Sequence, residues 1–178
     1  MATETELGSI MVPSAEQFAG IDFLPDANLD HLTAYVVKKH APRFDYLADL
    51  EFETVWKAKG GKRNGNLTLG ACVKLSGLAK HFGRVDYVIW LAADHAGLLQ
   101  LTPDQLEALV FHELCHTGVD EDGDPQLVGH DFEGFRAEIE AYGWWEEGLR
   151  LMRDSVQRRM FEDDDPTPAV DRETGEIR

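Results

Sequence analysis

One helix can be delimited from the sequence at both of its ends, between residues 101 and 118. Thr102 occupies the N-cap position, Pro103 the first helical position, and Gln105 the position of a capping-box partner. Gly118 is a residue type that commonly ends helices. Apolar side chains recur at helical spacing at Leu106, Leu109, Val110 and Leu114. This pattern predicts an amphipathic helix that packs one apolar face against a core.

The same helix carries the sequence His-Glu-Leu-Cys-His, in which His112 and His116 are four residues apart. Residues at this spacing lie one turn apart on one face, with Cβ atoms roughly 6 Å apart. Two imidazole nitrogens can then bind one tetrahedral cation. Glu113 lies about 100° around the helix from His112, where a carboxylate can take a proton from a metal-bound water. Such a motif also arises by chance, but its place on a well-capped helix favours a metal site.

A catalytic zinc needs a third protein ligand and keeps one position for water. His130 is the preferred candidate, because it begins the next helical segment after an acidic loop containing Gly and Pro. Glu138 and Glu140 are its rivals, since a glutamate from a later helix is the other common solution. Asp131 either accepts the second ring N–H of a ligand histidine or caps the following helix. The sequence leaves both roles open.

The rest of the chain predicts an α+β arrangement. A short helix is expected over residues 30–39, with Asp30 as its cap, and a half-buried strand over residues 51–58, where polar and apolar residues alternate. Residues 69–78 and 85–92 indicate two further strands, of which the second is apolar enough to be central. Helical periodicity returns from residue 131 to residue 160. The order of helix, strands and helices is typical of an α+β domain.

Composition narrows the class of protein. The 178 residues include 33 Asp and Glu against 17 Lys and Arg, a formal charge of −16, which makes nucleic-acid binding unlikely on electrostatic grounds. No apolar run approaches the ~20 residues that span a bilayer, and the first residues do not resemble a secretory signal. Two cysteines fit a reducing compartment. These features predict a cytoplasmic protein with no membrane association, with disordered segments at 1–16 and 161–178.

Two stretches of the chain together resemble a known family. His112-Glu-Leu-Cys-His116, then His130-Asp-Phe-Glu-Gly-Phe135, are similar to zincin metallopeptidases of the SprT and Wss type, which read H-E-x-x-H, a variable loop, then His-Asp/Gly-x-x-Phe. The phage metallopeptidase family resembles the chain more closely, since Ala141-Tyr-Gly-Trp-Trp145 matches its Tyr-Gly-x-Trp ending. The resemblance covers roughly residues 47–149, and its ligand motifs are specific.

This resemblance implies a zincin-like, minigluzincin-like single domain, with a small twisted sheet packed on the active-site helix and the substrate along an edge strand. We expect that domain to span residues 17–160. It also implies zinc as the cofactor, held by His112, His116 and His130. DNA-linked relatives usually carry basic segments, which this chain lacks, so a protease acting on DNA–protein crosslinks is not expected.

Tyr142 is the candidate for stabilising an oxyanion, because zincins often use a downstream Tyr or His in that role. The alternative is core packing, which the spacing of the surrounding apolar residues favours. Those residues are Phe132, Phe135, Ile139, Trp145, Leu149 and Met152.

Two functions from different classes follow. The first is a phage-encoded zinc metallopeptidase that hydrolyses protein or peptide substrates in the host cytoplasm with Glu113 as the general base. The alternative is an acidic binding protein on the same scaffold, which modulates a host defence or DNA-binding protein without proteolysis. A structural zinc site closed by four protein ligands is a third, weaker hypothesis.

Overall fold

The computed structural model describes residues 10–130, 139, 143–144 and 147–162. The helices are α1 (Ala15–Phe18), α2 (Ala27–Lys39), a 3-10 turn (Asp45–Asp49), α3 (Gly77–Gly83), α4 (Ala93–Leu98), α5 (Pro103–Leu114) and α6 (Glu147–Glu162). The strands are β1 (Phe23–Pro25), β2 (Phe52–Lys57), β3 (Lys62–Arg63), β4 (Asn66–Leu67), β5 (Gly70–Lys74), β6 (Tyr87–Ala92), β7 (Thr117–Val119) and β8 (Pro125–Leu127). The chain divides into two compact units, Met1–Gly129 and His130–Arg178.

Four strands of the first unit form a mixed sheet in the order β1-β2-β6-β5. β2 and β6 pair in parallel, with Thr54 opposite Ile89, whereas β1 and β5 pair antiparallel to their neighbours. The parallel pair lies at the centre, which explains why β6 is the most apolar strand. Ile89 is fully buried and Trp90 faces the opposite side, as period-two alternation requires. The predicted α+β class is confirmed.

The core lies between one face of this sheet, α2 and α5. Trp56 of β2 and Leu91 of β6 are fully buried there. The two helices supply buried aliphatic side chains at helical spacing: Leu29, Leu32 and Val36 from α2, with Leu106, Val110 and Leu114 from α5. Each such side chain contributes on the order of 1.5–3 kcal/mol. The motif helix is therefore fixed against the sheet along its length.

The helix predicted at residues 30–39 begins earlier, at Ala27, and Asp30 is not its cap. The Asp26 carboxylate accepts a hydrogen bond from the Asn28 backbone N–H, and its other oxygen accepts one from Trp56 Nε1 at 3.1 Å. Asp30 instead accepts a 2.6 Å bond from the Thr54 hydroxyl. A single residue thus caps α2 and attaches it to β2, a tertiary contact that helical periodicity does not reveal.

The strand predicted over residues 69–78 is shorter than expected. β5 ends at Lys74, and the chain enters α3 through Ser76 as the N-cap residue. The positive φ of 52° at Gly77 is a conformation that glycine adopts readily. Ser-Gly is therefore a break between two elements and not part of one strand.

The terminal segments differ in part from expectation. Disorder was predicted through residue 16, yet α1 begins at Ala15, and Ile10 and Val12 pack against the core. Residues 1–9 and 163–178 lie outside the described residues, as do most of residues 131–146, the first part of the helical run predicted over 131–160. Its later part is α6. Among the residues that the structure describes, no helix is both long enough and apolar enough to cross a membrane.

Candidate metal centre

α5 begins as its capping signals predict. The Thr102 side chain accepts a bond from the Gln105 backbone N–H at 3.3 Å, and the Gln105 side chain accepts one from the Thr102 backbone N–H at 2.9 Å. The helical hydrogen-bonding pattern ends at Leu114. These bonds satisfy backbone groups that the first turn of a helix leaves without partners. The start of α5 is therefore set locally, while its buried stripe fixes its orientation.

The structure brings three histidines together: His112, His116 and His130 each offer one ring nitrogen, and these atoms lie within 4.8 Å of one another. The rings of His112 and His116 are 5.1 Å apart between centroids, at 81°. In a tetrahedral zinc site with bonds of ~2.0–2.1 Å, ligand atoms are roughly 3.3 Å apart. The three side chains are thus close enough to hold a cation after small rotations. His112 and His130 are exposed, so the cluster is open to solvent.

The second ring nitrogen of His116 is held by the backbone. His116 Nδ1 lies 2.7 Å from the carbonyl oxygen of Val128. A carbonyl only accepts hydrogen bonds, so Nδ1 carries the proton and the lone pair is on Nε2. Metal-binding histidines commonly have this arrangement, because the second-nitrogen bond fixes both the tautomer and the ring plane. The donor set therefore fits a metal ion.

A β-hairpin, not a plain loop, follows the second histidine. β7 and β8 pair antiparallel, and the Val128 N–H donates to the His116 carbonyl at 2.8 Å. The Tyr87 hydroxyl, in a buried position, lies 2.6 Å from the Gly118 carbonyl and 2.8 Å from that of Gln126. A single phenol from β6 therefore contacts both strands of the hairpin.

Gly118 does not end the helix, contrary to the sequence analysis, because it lies within β7. A Cβ at this position would come 2.7 Å from Val128 Cγ2. Glycine therefore lets Val128, the residue directly after β8, approach β7 closely. That approach positions the carbonyl that holds His116.

Glu113 is buried, with 3% of its surface exposed. Its carboxylate lies beside β5, where a Cβ on Gly70 would come 2.7 Å from Oε1. Burial raises the pKa of Glu113 to about 7, while His116 and the Cys72 N–H act in the opposite direction. A carboxyl group with this pKa can both take and release a proton near neutral pH.

Several predicted site residues lie outside the described residues: Asp131, Glu138, Glu140 and Tyr142. The contributions of the Val128 carbonyl and the Cys72 N–H were not predicted from the sequence. Both are backbone groups, so no side-chain pattern signals them. Gly118 was predicted only as the end of the helix, and no role was predicted for Gly70, which adjoins Glu113.

The fold and the histidine cluster define an α+β protein with a candidate metal centre at the C-terminal end of the amphipathic helix α5. The family described as "Putative phage metallopeptidase" matches residues 21–158, well over half of the chain, and the chain belongs to that family. No curated protein and no solved structure gives a match.

Proposed function

We propose that the protein is a zinc-dependent peptidase of the zincin type, in which His112, His116 and His130 hold the metal and Glu113 is the general base. The observation that carries this proposal is the convergence of three ring nitrogens within 4.8 Å, next to a buried glutamate one residue after the first histidine. Family membership supports the same reaction class.

Zinc is the metal we propose, because three imidazoles with one position left for water is a common catalytic zinc arrangement. When bound, zinc would polarise the scissile carbonyl and make a coordinated water more acidic. The Val128 carbonyl holds the His116 ring in one tautomer. The last turn of α5 and the turn that follows it place the rings of His112 and His116 5.1 Å apart.

Glu113 would transfer the proton. Its raised pKa, about 7, allows the ionised carboxylate to take a proton from the attacking water at neutral pH. The resulting acid can then deliver that proton to the amine of the leaving peptide. Tyr142 is proposed to donate a hydrogen bond to the oxyanion; that residue lies outside the described part of the chain.

β5 would bind the substrate backbone. It is an edge strand among the described residues, because only β6 pairs with it. Leu69 accepts a bond from Ala92, and Leu75 donates one to Asp86, so alternation directs the backbone groups of Gly70, Cys72 and Lys74 away from β6. An extended peptide can add to such an edge. Because the Glu113 carboxylate lies beside Gly70 at this edge, the proposed base lies where that peptide would pass.

Substitution of Glu113 by Gln tests the proposal. We expect Glu113→Gln to bind zinc as the parent does and to cleave an unfolded protein such as casein at least ~100-fold more slowly, since general base catalysis contributes 10²–10⁴-fold. Glu107→Gln is the matched control, because Glu107 lies on the same helix and pairs with Lys39 away from the histidines. Equal cleavage rates for parent and Glu113→Gln would overturn the assignment.

The substrates we propose are host or phage proteins in the cytoplasm of an infected cell. Comparison of new peptide termini in host lysate, treated with the parent protein or with Glu113→Gln, would identify them. Termini present in both samples arise from other proteases. Zinc-dependent termini present only with the parent are expected.

A further inference from the structure

The glycine at the start of β5 lies directly against the proposed base. A Cβ built on Gly70 would come 2.7 Å from Glu113 Oε1 and 3.1 Å from its Cδ. The same Cβ would lie 3.0 Å from the Trp90 carbonyl oxygen. The φ of Gly70 is not positive, so backbone conformation does not require glycine here. Glycine is required because a side chain at position 70 would occupy the space that the Glu113 carboxylate fills.

The strand cannot move away to make that space. Leu69, the preceding residue, accepts a 2.7 Å bond from the Ala92 N–H. Thr68, the residue before Leu69, is also held, because its carbonyl oxygen lies 2.9 Å from Nδ1 of the buried His95. The strand is therefore fixed at its start by two hydrogen bonds. A side chain at position 70 would displace the Glu113 carboxylate before it displaced the backbone.

Two residues further along the same edge, the backbone N–H of Cys72 favours the ionised form of that carboxylate. The register with β6 directs the backbone groups of Gly70 and Cys72 toward the same open side of the strand. The absent side chain at position 70 lets the carboxylate approach the strand closely enough to reach this donor.

We propose that Gly70 is a positioning residue for Glu113: by having no side chain, it lets the edge strand hold the carboxylate through the Cys72 N–H. This inference rests on the proposed peptidase function for its catalytic consequence, but the positioning itself is a property of the folded chain. Alanine at position 70 would turn the carboxylate away from the Cys72 N–H. Displacement of a reacting group by about 1 Å can reduce a rate by about 10²-fold.

The first test measures positioning without activity. We expect the amide proton of Cys72, followed by NMR of the full-length protein, to move upfield in Gly70→Ala and in Glu113→Gln alike, because both lose a charge-assisted hydrogen bond. Gly97→Ala is the matched control, since a Cβ there meets only Val12 Cγ1 at 4.0 Å and its φ is not positive. An unchanged Cys72 resonance in Gly70→Ala would overturn the proposal.

The second test measures catalysis on casein with the zinc-loaded protein. We expect Gly70→Ala to lower kcat by roughly 10- to 100-fold while KM and zinc affinity stay within about twofold of the parent. A Gly70→Ala protein with the parent's kcat contradicts the positioning role. If the parent itself cleaves nothing while the Cys72 resonance responds as expected, the peptidase function fails and the positioning by Gly70 stands.

A double-mutant cycle covers the case in which Gly70→Ala folds poorly. We expect Gly70→Ala to lower Tm much less in a Glu113→Ala background, because the truncated side chain leaves room for the new methyl group. An equal loss of Tm in both backgrounds would instead assign the requirement for glycine to the Trp90 carbonyl and would overturn the proposal.

Discussion

At the level of single residues, the proposed chemistry depends most on the buried carboxyl group of Glu113. A raised pKa in the folded state means that the folded protein binds the proton more tightly than the unfolded chain does. The contribution of this group to stability is therefore fully present below pH ~4.5 and is lost as pH rises through about 7. In the metal-free protein, ionisation of this buried group therefore lowers stability.

This linkage gives a prediction for unfolding experiments. We expect metal-free parent protein to lose stability relative to Glu113→Gln between pH 5 and pH 8, by at most about 3 kcal/mol. Urea unfolding of both proteins at the two pH values measures the difference, and the comparison cancels titration of the histidines. A difference that is independent of pH would show that Glu113 titrates normally.

Cys72 gives a second prediction at this scale. Burial, with a smaller effect from Glu113, raises the pKa of its thiol to about 12. The thiolate is the reactive species, so we expect iodoacetamide at pH 8 to modify Cys72 very slowly in the folded protein. Mass spectrometry of peptides after timed labelling measures this, with guanidinium-unfolded protein as the reference. Equal labelling rates in the folded and unfolded protein would contradict the burial of this thiol.

At the scale of elements, the hairpin of β7 and β8 links the fold to the histidines. Its Val128 carbonyl holds the His116 ring, and Gly118 lets the two strands approach each other. Removing such a second-nitrogen partner typically weakens metal affinity 10- to 100-fold. A change in the geometry of the hairpin should therefore change the affinity of the protein for zinc.

We expect Gly118→Ala to weaken zinc binding about 10-fold, because the new methyl group would displace Val128 and its carbonyl. Val128→Ala in the same chain removes Cγ2, the atom that would clash, and should restore affinity. Competition titration with a zinc chelator measures both variants. If the double variant binds zinc no better than Gly118→Ala, the displacement of Val128 is not the cause.

Helix and strand boundaries were predictable where they depend on neighbouring residues in the sequence. The start of α5 followed from Thr102, Pro103 and Gln105, because capping depends on neighbouring residues. The hairpin was not predictable, since Thr117–Val119 and Pro125–Leu127 are too short for a periodic pattern. The histidine spacing indicated the site, whereas the backbone groups that hold His116 and Glu113 depend on tertiary contacts.

At the scale of the whole molecule, the net charge of −16 distinguishes this chain from proteins that bind nucleic acid through phosphates. It also bears on the choice of substrate, because a negative field raises the local concentration of cationic peptides. The same charge motivates the alternative hypothesis of an acidic protein that binds a basic host target without cleaving it. The two hypotheses differ in whether Glu113 is needed.

We therefore expect kcat/KM to be higher for a peptide rich in Lys and Arg than for its Glu-rich counterpart. The difference should shrink between 20 mM and 500 mM NaCl, because the Debye length over which exposed charges interact falls from tens of ångströms to a few ångströms. Cleavage assays on the two peptides at both salt concentrations measure this. A preference that salt leaves unchanged would assign specificity to contacts in the cleft.

The proposed function depends on three histidines that together hold one metal ion. An equilibrium zinc titration of the parent protein, of Glu113→Gln and of each histidine changed singly to Ala measures this binding. We expect one zinc per chain in the parent and in Glu113→Gln, and at least ~100-fold weaker binding in His112→Ala, His116→Ala and His130→Ala. A parent that binds no zinc, or a His130→Ala protein that binds it as tightly as the parent, would contradict it.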